Sequence, residues 1–264
     1  MSISGVERIA AAFEGARADG RRAALMPYLM GGFPDLAGSL AIGRACVRAG
    51  ADLLELGVPF SDPLADGPVI HAAGTAALKA GATLDRVLEV AGELARDGAP
   101  VVLMCYSNMI MARGLERFAD RLAAAGASGL IVPDLPLEEA GDALRVCDER
   151  GLALVPLAAP TTPDERLERI GGRARGFLYA VSLVGTTGER TAVAEALPAF
   201  VDRVGARTDV PIAVGFGIGT PAQATAAADA GADGVIIGSR LVRAAREGDN
   251  VGALVSEFGQ ALVK

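Results

Sequence analysis

The chain has 264 residues, of which 51% are hydrophobic and 22% are charged, and its formal net charge is −7. This composition supports a large buried core and excludes a disordered chain, and the excess of acidic residues disfavours binding to nucleic acid or to an anionic membrane. No Pro- or Ser-rich linker divides the sequence, so we expect a single cytoplasmic domain over residues 1–264.

The first element is predicted to be an amphipathic helix. Within MSISGVERIAAAFEGARADG, apolar residues recur at intervals of three, one and three positions, at Val6, Ile9, Ala10 and Phe13. This spacing is typical of a helix that buries one face, and it does not suit a secretory signal peptide.

A repeated pattern follows, in which a helix ends at a glycine and a short apolar run begins. The clearest copies are RAGADLLELG, AAGASGLIVPD and DAGADGVIIGS, and glycines precede such runs at positions 50, 98, 126, 151, 176 and 231. The spacing corresponds to one strand and one helix in about 25–28 residues, as in a parallel sheet. With AALMPYLMGG near the start and VPIAVGF around Val214, the pattern predicts eight strands.

Eight buried parallel strands in about 250 residues favour an α/β fold, a single-domain (β/α)8 TIM barrel with an extra N-terminal helix. An open, doubly wound sheet is the alternative, but no G-x-G-x-x-G follows the first predicted strand. Thr162-Pro163-Asp164-Glu165 and Thr220-Pro221 each predict a helix that starts at a threonine N-cap.

The residue inventory excludes several kinds of site. His71 is the one histidine and falls in a predicted helix, which argues against a Ser-His-Asp or Cys-His site and excludes a histidine-rich metal centre. Lys79 lies in the same predicted helix and Lys264 ends the chain, which disfavours Schiff-base or pyridoxal-phosphate chemistry at a strand end. The three cysteines are too widely spaced for a zinc pair or a C-x-x-C motif, and we expect structural thiols. They are Cys46, Cys105 and Cys147.

Carboxylates near the predicted strand ends carry the remaining chemistry. Glu55 lies inside LLELG, in a parallel strand whose interior should be apolar, and it is either a catalytic or a structural carboxylate. Asp62 and Asp66 follow in PFSDPLADGP, and Asp134 ends the apolar run in IVPD. Aspartate is also a common turn residue, so position alone leaves both interpretations open.

Glycine-rich segments late in the chain predict a phosphate site. Gly185-Thr186-Thr187-Gly188 follows the sixth predicted strand, Gly215-Phe216-Gly217 ends the seventh, and Gly238-Ser239 ends the eighth and opens a helix. Backbone N–H groups at such positions hold anions, and barrels often bind phosphate beside strands seven and eight. Ordinary turn glycines are the alternative.

Four aromatic residues also fall near predicted strand ends, where they would line a pocket for a flat apolar ring, although core packing is the competing interpretation. They are Tyr28, Tyr106, Tyr179 and Phe216. Together these residues predict a barrel enzyme that binds a phosphorylated ligand with an apolar portion and uses carboxylate acid–base catalysis.

Several long segments carry a resemblance to a known family. The run LELGVPFSDPLADGPVI resembles the signature of the tryptophan synthase alpha chain, and APTTPDERL and GFLYAVSLVGTTG are similar to two further segments of that family. GFGIGTP and IIGSRLV resemble its phosphate-binding strand ends. The matches run in order over nearly the whole chain.

The resemblance implies a reversible retro-aldol cleavage of indole-3-glycerol phosphate into indole and glyceraldehyde 3-phosphate. Glu55 matches the family's catalytic glutamate, which acts as acid and base, and Asp66 matches the second catalytic carboxylate, whose charge stabilises the ring near the indole N–H. Tyr179 would lie beside Glu55. The residues implied to hold the phosphate are Gly188, Gly217, Gly238 and Ser239.

The resemblance also implies a lid and a partner. Residues 184–191 would form the lid, with Thr187 closing over Asp66, and the indole would pass to a beta chain that holds pyridoxal phosphate, in an alpha2beta2 tetramer. No cofactor is expected in this chain. Residues 60–66 and the regions around Asn108 and Pro136 would face the beta chain. Thr186 and His71 depart from residues that are frequent in the family, and these departures concern lid kinetics and fine contacts but not the implied acid and base.

The sequence leaves three alternatives open. Another phosphate-binding barrel is the first, although indoleglycerol-phosphate synthase would be expected to show a strand-end lysine. A stand-alone lyase that releases indole would share the same catalytic residues. A ligand-sensing barrel without activity is the third, and it would not need an acid–base glutamate.

Overall fold

The structure is a computed structural model that describes residues 3–181, 190–215 and 217–264, without the side chains of residues 190–196. Its strands are β1 Ala24–Met30, β2 Leu54–Gly57, β3 Val101–Met104, β4 Gly129–Ile131, β5 Ala153–Val155, β6 Leu157–Ala158, β7 Leu178–Val181, β8 Ile212–Gly215 and β9 Gly234–Ile237. They form one sheet in the order β5-β4-β3-β2-β1-β9-β8-β7-β6, and the neighbouring strands pair in parallel.

One strand of this barrel is interrupted at Pro156. Segment β5 pairs with β4, segment β6 pairs with β7, and Pro156 alone separates the two segments in sequence. The carbonyl of Pro156 accepts a hydrogen bond from the N–H of Tyr179 at 2.9 Å, but proline has no N–H to donate in return. Segments β5 and β6 therefore act as one strand, and the predicted eight-stranded barrel is confirmed.

Helices surround the sheet in the order that the repeat predicts. Their bounds are α1 Gly5–Ala18, α2 Leu36–Arg48, α3 Pro68–Lys79, α4 Leu84–Arg96, α5 Ser107–Met111, α6 Leu115–Ala124, α7 Gly141–Asp148, α8 Asp164–Gly171, α9 Arg190–Gly205, α10 Pro221–Asp229, α11 Ser239–Glu247 and α12 Val251–Ala261. The six glycines at positions 50, 98, 126, 151, 176 and 231 all have φ between +65° and +97°. Glycine adopts this conformation at little cost, which is why it ends a helix before the next strand.

Helix α1 covers the N-terminal end of the barrel, so the predicted extra helix is confirmed. It starts with a capping box, in which Ser4 and Glu7 satisfy each other's backbone N–H groups. Ile9 and Phe13 are buried in the same apolar cluster as the side chains of the barrel interior. The N–H of Gly5 donates to the carbonyl of Gly151, just before β5, at 2.7 Å.

Alternation along β2 decides which of its side chains face the barrel interior. Leu54 and Leu56 belong to the apolar layer between the sheet and the helices. The residue between them, Glu55, is paired with Tyr28 on β1 and Val102 on β3, which both belong to the interior cluster. Because side chains alternate between the two faces of a strand, Glu55 points into the barrel.

Of the two predicted helix starts, one is confirmed and one is wrong. Thr220 caps α10, and Gln223 completes a capping box. Thr162 does not cap α8, because its hydroxyl accepts a hydrogen bond from the N–H of Ala159 at 3.0 Å, and the helix begins later, at Asp164.

The cysteines are confirmed as buried, unpaired thiols: Cys46, Cys105 and Cys147. Burial raises the pKa of the Cys46 and Cys147 thiols to about 12, so both stay protonated and unreactive near neutral pH. Across the described ranges, no helix is long and apolar enough to cross a membrane.

Candidate active site

Glu55 lies at the centre of the candidate site. Its side chain is 1% exposed, and neither carboxylate oxygen has a hydrogen-bond partner within the described part of the chain. Burial, and then the charge of Asp66, raises the pKa of Glu55 from 4.5 to about 8. A buried polar group without partners is rare in folded proteins, and a carboxyl group with such a pKa exchanges a proton readily near neutral pH.

Asp66 is the second carboxylate of the site, in the loop between β2 and α3. Its Oδ1 accepts a hydrogen bond from the hydroxyl of Tyr106 at 2.9 Å. Burial raises the pKa of Asp66, while the hydrogen bond from Tyr106 and the charge of His71 oppose that rise. The electrostatic effect of Asp66 on Glu55 places the two carboxylates in one site.

Two tyrosines pack deep in the barrel close to Glu55. Both Tyr28 and Tyr179 are buried. Burial is the main reason that the pKa of each tyrosine hydroxyl is raised, and the charge of Glu55 raises it further. Each hydroxyl lies over a glycine: a Cβ built on Gly57 would be 2.1 Å from the oxygen of Tyr28, and one on Gly215 would be 2.2 Å from that of Tyr179. The glycines therefore make room for the tyrosines that enclose Glu55.

The aromatic residues predicted near strand ends lie slightly inside or beyond those ends. Tyr28 and Tyr179 lie within β1 and β7, and Tyr106 lies two residues beyond β3. Tyr106 stacks on Phe60, with ring centroids 5.3 Å apart and an interplanar angle of 29°. Phe60 is not among the residues predicted from the sequence, although an aromatic residue shortly after a strand is the same signal that identified Tyr106.

The predicted phosphate end lies where β8 and β9 finish. Gly238 occupies the N-cap of α11 and Ser239 is its first residue, as predicted, and no side chain caps this helix. Gly217 lies just beyond β8 with φ +80°. A Cβ built on Gly238 would lie 3.7 Å from the Cβ of Tyr28, so this helix start packs beside the residue that pairs with Glu55 across β1 and β2. Its N–H groups and dipole favour an anion there.

Part of the predicted site lies outside the described residues. This holds for Thr187, Gly188 and Phe216, and for most of the predicted lid, residues 184–191. His71 lies in the predicted helix, α3, and is exposed, and Lys79 is exposed at the end of the same helix. Across the described ranges, no three or more His, Cys, Asp or Glu side chains form a cluster that could hold a metal ion.

The rim beside the site exposes two large apolar side chains. Leu64 in the β2–α3 loop is 81% exposed, and Met111 at the end of α5 is 76% exposed. Asn108 and Pro136 are also exposed. Pro136 lines a cavity of about 450 Å³ between the ends of β4 to β6 and helices α7 and α8.

Comparison with known proteins places this geometry in a family. Residues 13–258 match the family model described as the tryptophan synthase alpha chain. The chain is 49% identical to the tryptophan synthase alpha chain of Synechocystis over 91% of each chain, and 47% identical to that of Gloeobacter violaceus over 100% of this chain and 96% of the other.

Solved structures agree with the sequence comparison. Tryptophan synthase from M. tuberculosis, in an aminoacrylate- and BRD0059-bound form, matches with a TM-score of 0.89 at 39% identity, covering 97% of this chain and 98% of the other. Tryptophan synthase subunit alpha from Legionella pneumophila matches with a TM-score of 0.88 at 36% identity, covering 99% of each chain.

Proposed function

Because the chain belongs to the tryptophan synthase alpha chain family, we propose that Glu55 and Asp66 carry out the family's lyase reaction. The reaction is the cleavage of indole-3-glycerol phosphate into indole and glyceraldehyde 3-phosphate. The observation that carries the assignment is Glu55, a buried carboxyl group without hydrogen-bond partners among the described residues and with a pKa raised to about 8.

The two proton transfers of the cleavage require one group that is both acid and base. Protonated Glu55 donates a proton to C3 of the indole ring, which places positive charge on the ring. The resulting carboxylate takes the proton of the side-chain hydroxyl, the bond from C3 to the side chain breaks, and its electron pair returns to the ring. The hydroxyl carbon becomes the aldehyde of glyceraldehyde 3-phosphate, and Glu55 is protonated again.

Asp66 supplies charge rather than protons in this scheme. As an anion beside the indole N–H, it stabilises the positive charge that develops when C3 is protonated. The hydrogen bond from Tyr106 favours this ionised form. Tyr28 and Tyr179 keep water away from Glu55 and offer apolar ring surface to the indole.

The phosphate is assigned to the start of α11. We assign it to the backbone N–H groups at Gly238 and Ser239 and the serine hydroxyl, at the helix start, and to the backbone at Gly217, just beyond β8. Gly188 is assigned to the same group by family resemblance. Binding energy from the phosphate orients the reacting bond over Glu55, although the phosphate itself does not react.

The direct test is indole release from indole-3-glycerol phosphate by the purified chain. Glu55→Gln should fold and lose cleavage, because glutamine cannot exchange the proton. Glu89→Gln is a matched control, since Glu89 is exposed on α4. Cleavage by Glu55→Gln at the wild-type rate would refute the assignment, and no cleavage by the wild type in any condition would refute the function.

We infer that the apolar rim docks a tryptophan synthase beta chain, in an alpha2beta2 assembly whose pyridoxal phosphate belongs to that partner. Leu64 and Met111 support this, because both are large, exposed apolar side chains that follow neighbouring strands, β2 and β3, at the same end of the barrel. An exposed apolar patch is typical of a docking surface. Residues 60–66, Asn108 and Pro136 border the same rim. This chain needs no cofactor in the cleavage scheme above.

The partner is tested by titrating a beta chain into the cleavage assay. We expect the beta chain to accelerate cleavage strongly. Leu64→Asp and Met111→Asp should each raise the concentration of beta chain needed for half-maximal acceleration, while the cleavage rate without the beta chain stays unchanged. Full-speed cleavage without the beta chain, and no response to it, would instead identify a stand-alone lyase that releases indole.

A further inference from the structure

Asp134, which the cleavage scheme does not use, connects the segment after β4 to the start of α5. Its Oδ1 accepts a hydrogen bond from the backbone N–H of Ser107 at 2.8 Å, and its Oδ2 accepts one from the Ser107 hydroxyl at 2.7 Å. An aspartate that served only its own turn would accept from backbone one or two residues farther along. Both oxygens of Asp134 instead anchor a different loop.

Ser107 needs this external acceptor because its own helix provides none. Helix α5 has five residues, and Tyr106 at its N-cap position makes no side-chain capping bond. The N–H groups in the first turn of a helix lack partners within the helix, so Asp134 satisfies one of them from a neighbouring loop. The bond fixes the peptide unit that joins Tyr106 to Ser107.

The other end of Tyr106 reaches the reacting centre. Its ring stacks on Phe60, and its hydroxyl accepts a hydrogen bond from the N–H of Ala65 at 3.1 Å and donates one to Asp66 at 2.9 Å. Tyr106 is therefore held at its backbone by Asp134 and Ser107, and through its ring and hydroxyl it orders the loop that carries Asp66.

We propose that Asp134 is a positioning residue for the cleavage reaction, which acts through Ser107 and Tyr106 on the placement of Asp66. The proposal rests on the proposed function, since it concerns the carboxylate assigned to the indole N–H. Asp134 lies on a different strand end from Asp66 and makes no hydrogen bond to it.

The charge around Asp66 gives the proposal a pH signature. The titratable groups that act on or near Asp66 come from four elements: Tyr28 on β1, Glu55 on β2, His71 on α3 and Tyr106 before α5. The hydrogen bond from Tyr106 lowers the pKa of Asp66. If Tyr106 shifts, that pKa rises, and the ionised form that catalysis needs appears only at higher pH.

The first experiment compares Asp134→Ala with Asp52→Ala. Asp52 is a matched control, because it also anchors a backbone N–H, that of Leu25 at 2.7 Å, but at the N-terminal end of the barrel. We expect Asp134→Ala to lower kcat about tenfold or more, because misplacement of a catalytic group is costly, with KM within about twofold. The acid limb of its kcat profile should move to higher pH, whereas Asp52→Ala should lose stability only. Equal effects of the two variants on kcat would overturn the proposal.

A double-mutant cycle separates positioning from general damage. In a Tyr106→Phe background, adding Asp134→Ala should lower kcat by less than about twofold, because the link to Asp66 is already broken. Ser107→Ala keeps the backbone hydrogen bond and should fall between wild type and Asp134→Ala. If the double variant instead lost kcat by the product of the two single-variant factors, the two residues would act independently and the proposal would be overturned.

A spectroscopic measurement keeps this proposal separate from the cleavage assignment. The chain has three tyrosines and no tryptophan, so its near-ultraviolet circular dichroism reports on few groups. Asp134→Ala should weaken the same tyrosine signal that Tyr106→Phe removes, and an unchanged spectrum would overturn the anchoring. The spectrum does not depend on whether the wild type cleaves the substrate. The cleavage assay on the wild type decides the proposed function, and the spectrum decides the anchoring of Tyr106.

Discussion

The buried carboxyl group of Glu55 should make the stability of this protein depend on pH in a way that one substitution removes. Glu55 is 1% exposed, and its pKa rises from 4.5 to about 8 on folding. A group whose pKa is raised in the folded state contributes stability that is fully present below pH 4.5 and lost as the pH rises through about 8. With about 1.4 kcal/mol for each pH unit of the difference, the total is about 5 kcal/mol.

Glu55→Gln removes the charge and keeps the size of the side chain. Between pH 5 and pH 9, the wild type should lose about 4 kcal/mol of unfolding free energy relative to this variant, because glutamine stays neutral throughout. Reversible urea unfolding of both proteins at each pH measures the difference. Glu89→Gln, at an exposed position, should follow the wild type. A difference between wild type and Glu55→Gln that changes by less than about 1 kcal/mol over this range would refute a raised pKa for Glu55.

Three further outcomes follow from the site. Gly57→Ala should destabilise the protein by about 1–3 kcal/mol in urea unfolding and reduce cleavage, because the new Cβ would lie 2.1 Å from the hydroxyl oxygen of Tyr28. Gly15→Ala on α1 is the control: its new Cβ would have no neighbouring atom within 4 Å, so this variant should be neutral or slightly stabilising. Indole glycerol without its phosphate should show a much lower kcat/KM than indole-3-glycerol phosphate, and equal values would remove the phosphate site from the start of α11. Asp66→Asn should fold with a normal circular dichroism spectrum and lose cleavage, and retention of the wild-type rate would exclude the electrostatic role.

Much of this architecture could be predicted from local sequence signals. A glycine with positive φ before six of the apolar runs is a local requirement of the chain, so the βα repeat is visible without tertiary information. Glu55 stands out because a charged residue interrupts an apolar parallel strand, and the glycine–serine pair at the end of β9 marks a helix start. The break at Pro156 is less visible, because a proline inside an apolar run does not reveal how the neighbouring strands pair.

The contacts that tune the site could not be predicted in the same way. The hydrogen bond from Tyr106 to Asp66 joins residues 40 positions apart, and the pKa of Glu55 depends on burial by side chains from several strands. Thr162 shows the limit for local signals as well, since a capping pattern in the sequence formed a tight turn with Ala159 instead. These outcomes depend on which groups tertiary packing brings together, and spacing along the chain does not record that.

Helix α1 has a consequence for how protons reach Glu55. Ile9 and Phe13 fill one end of the barrel, whereas Asp66 and the start of α11 lie at the opposite end. Under the proposed cleavage, substrate, product and exchangeable protons all use this second end. A partner chain bound over this end would then control the protonation rate of Glu55 together with the escape of indole.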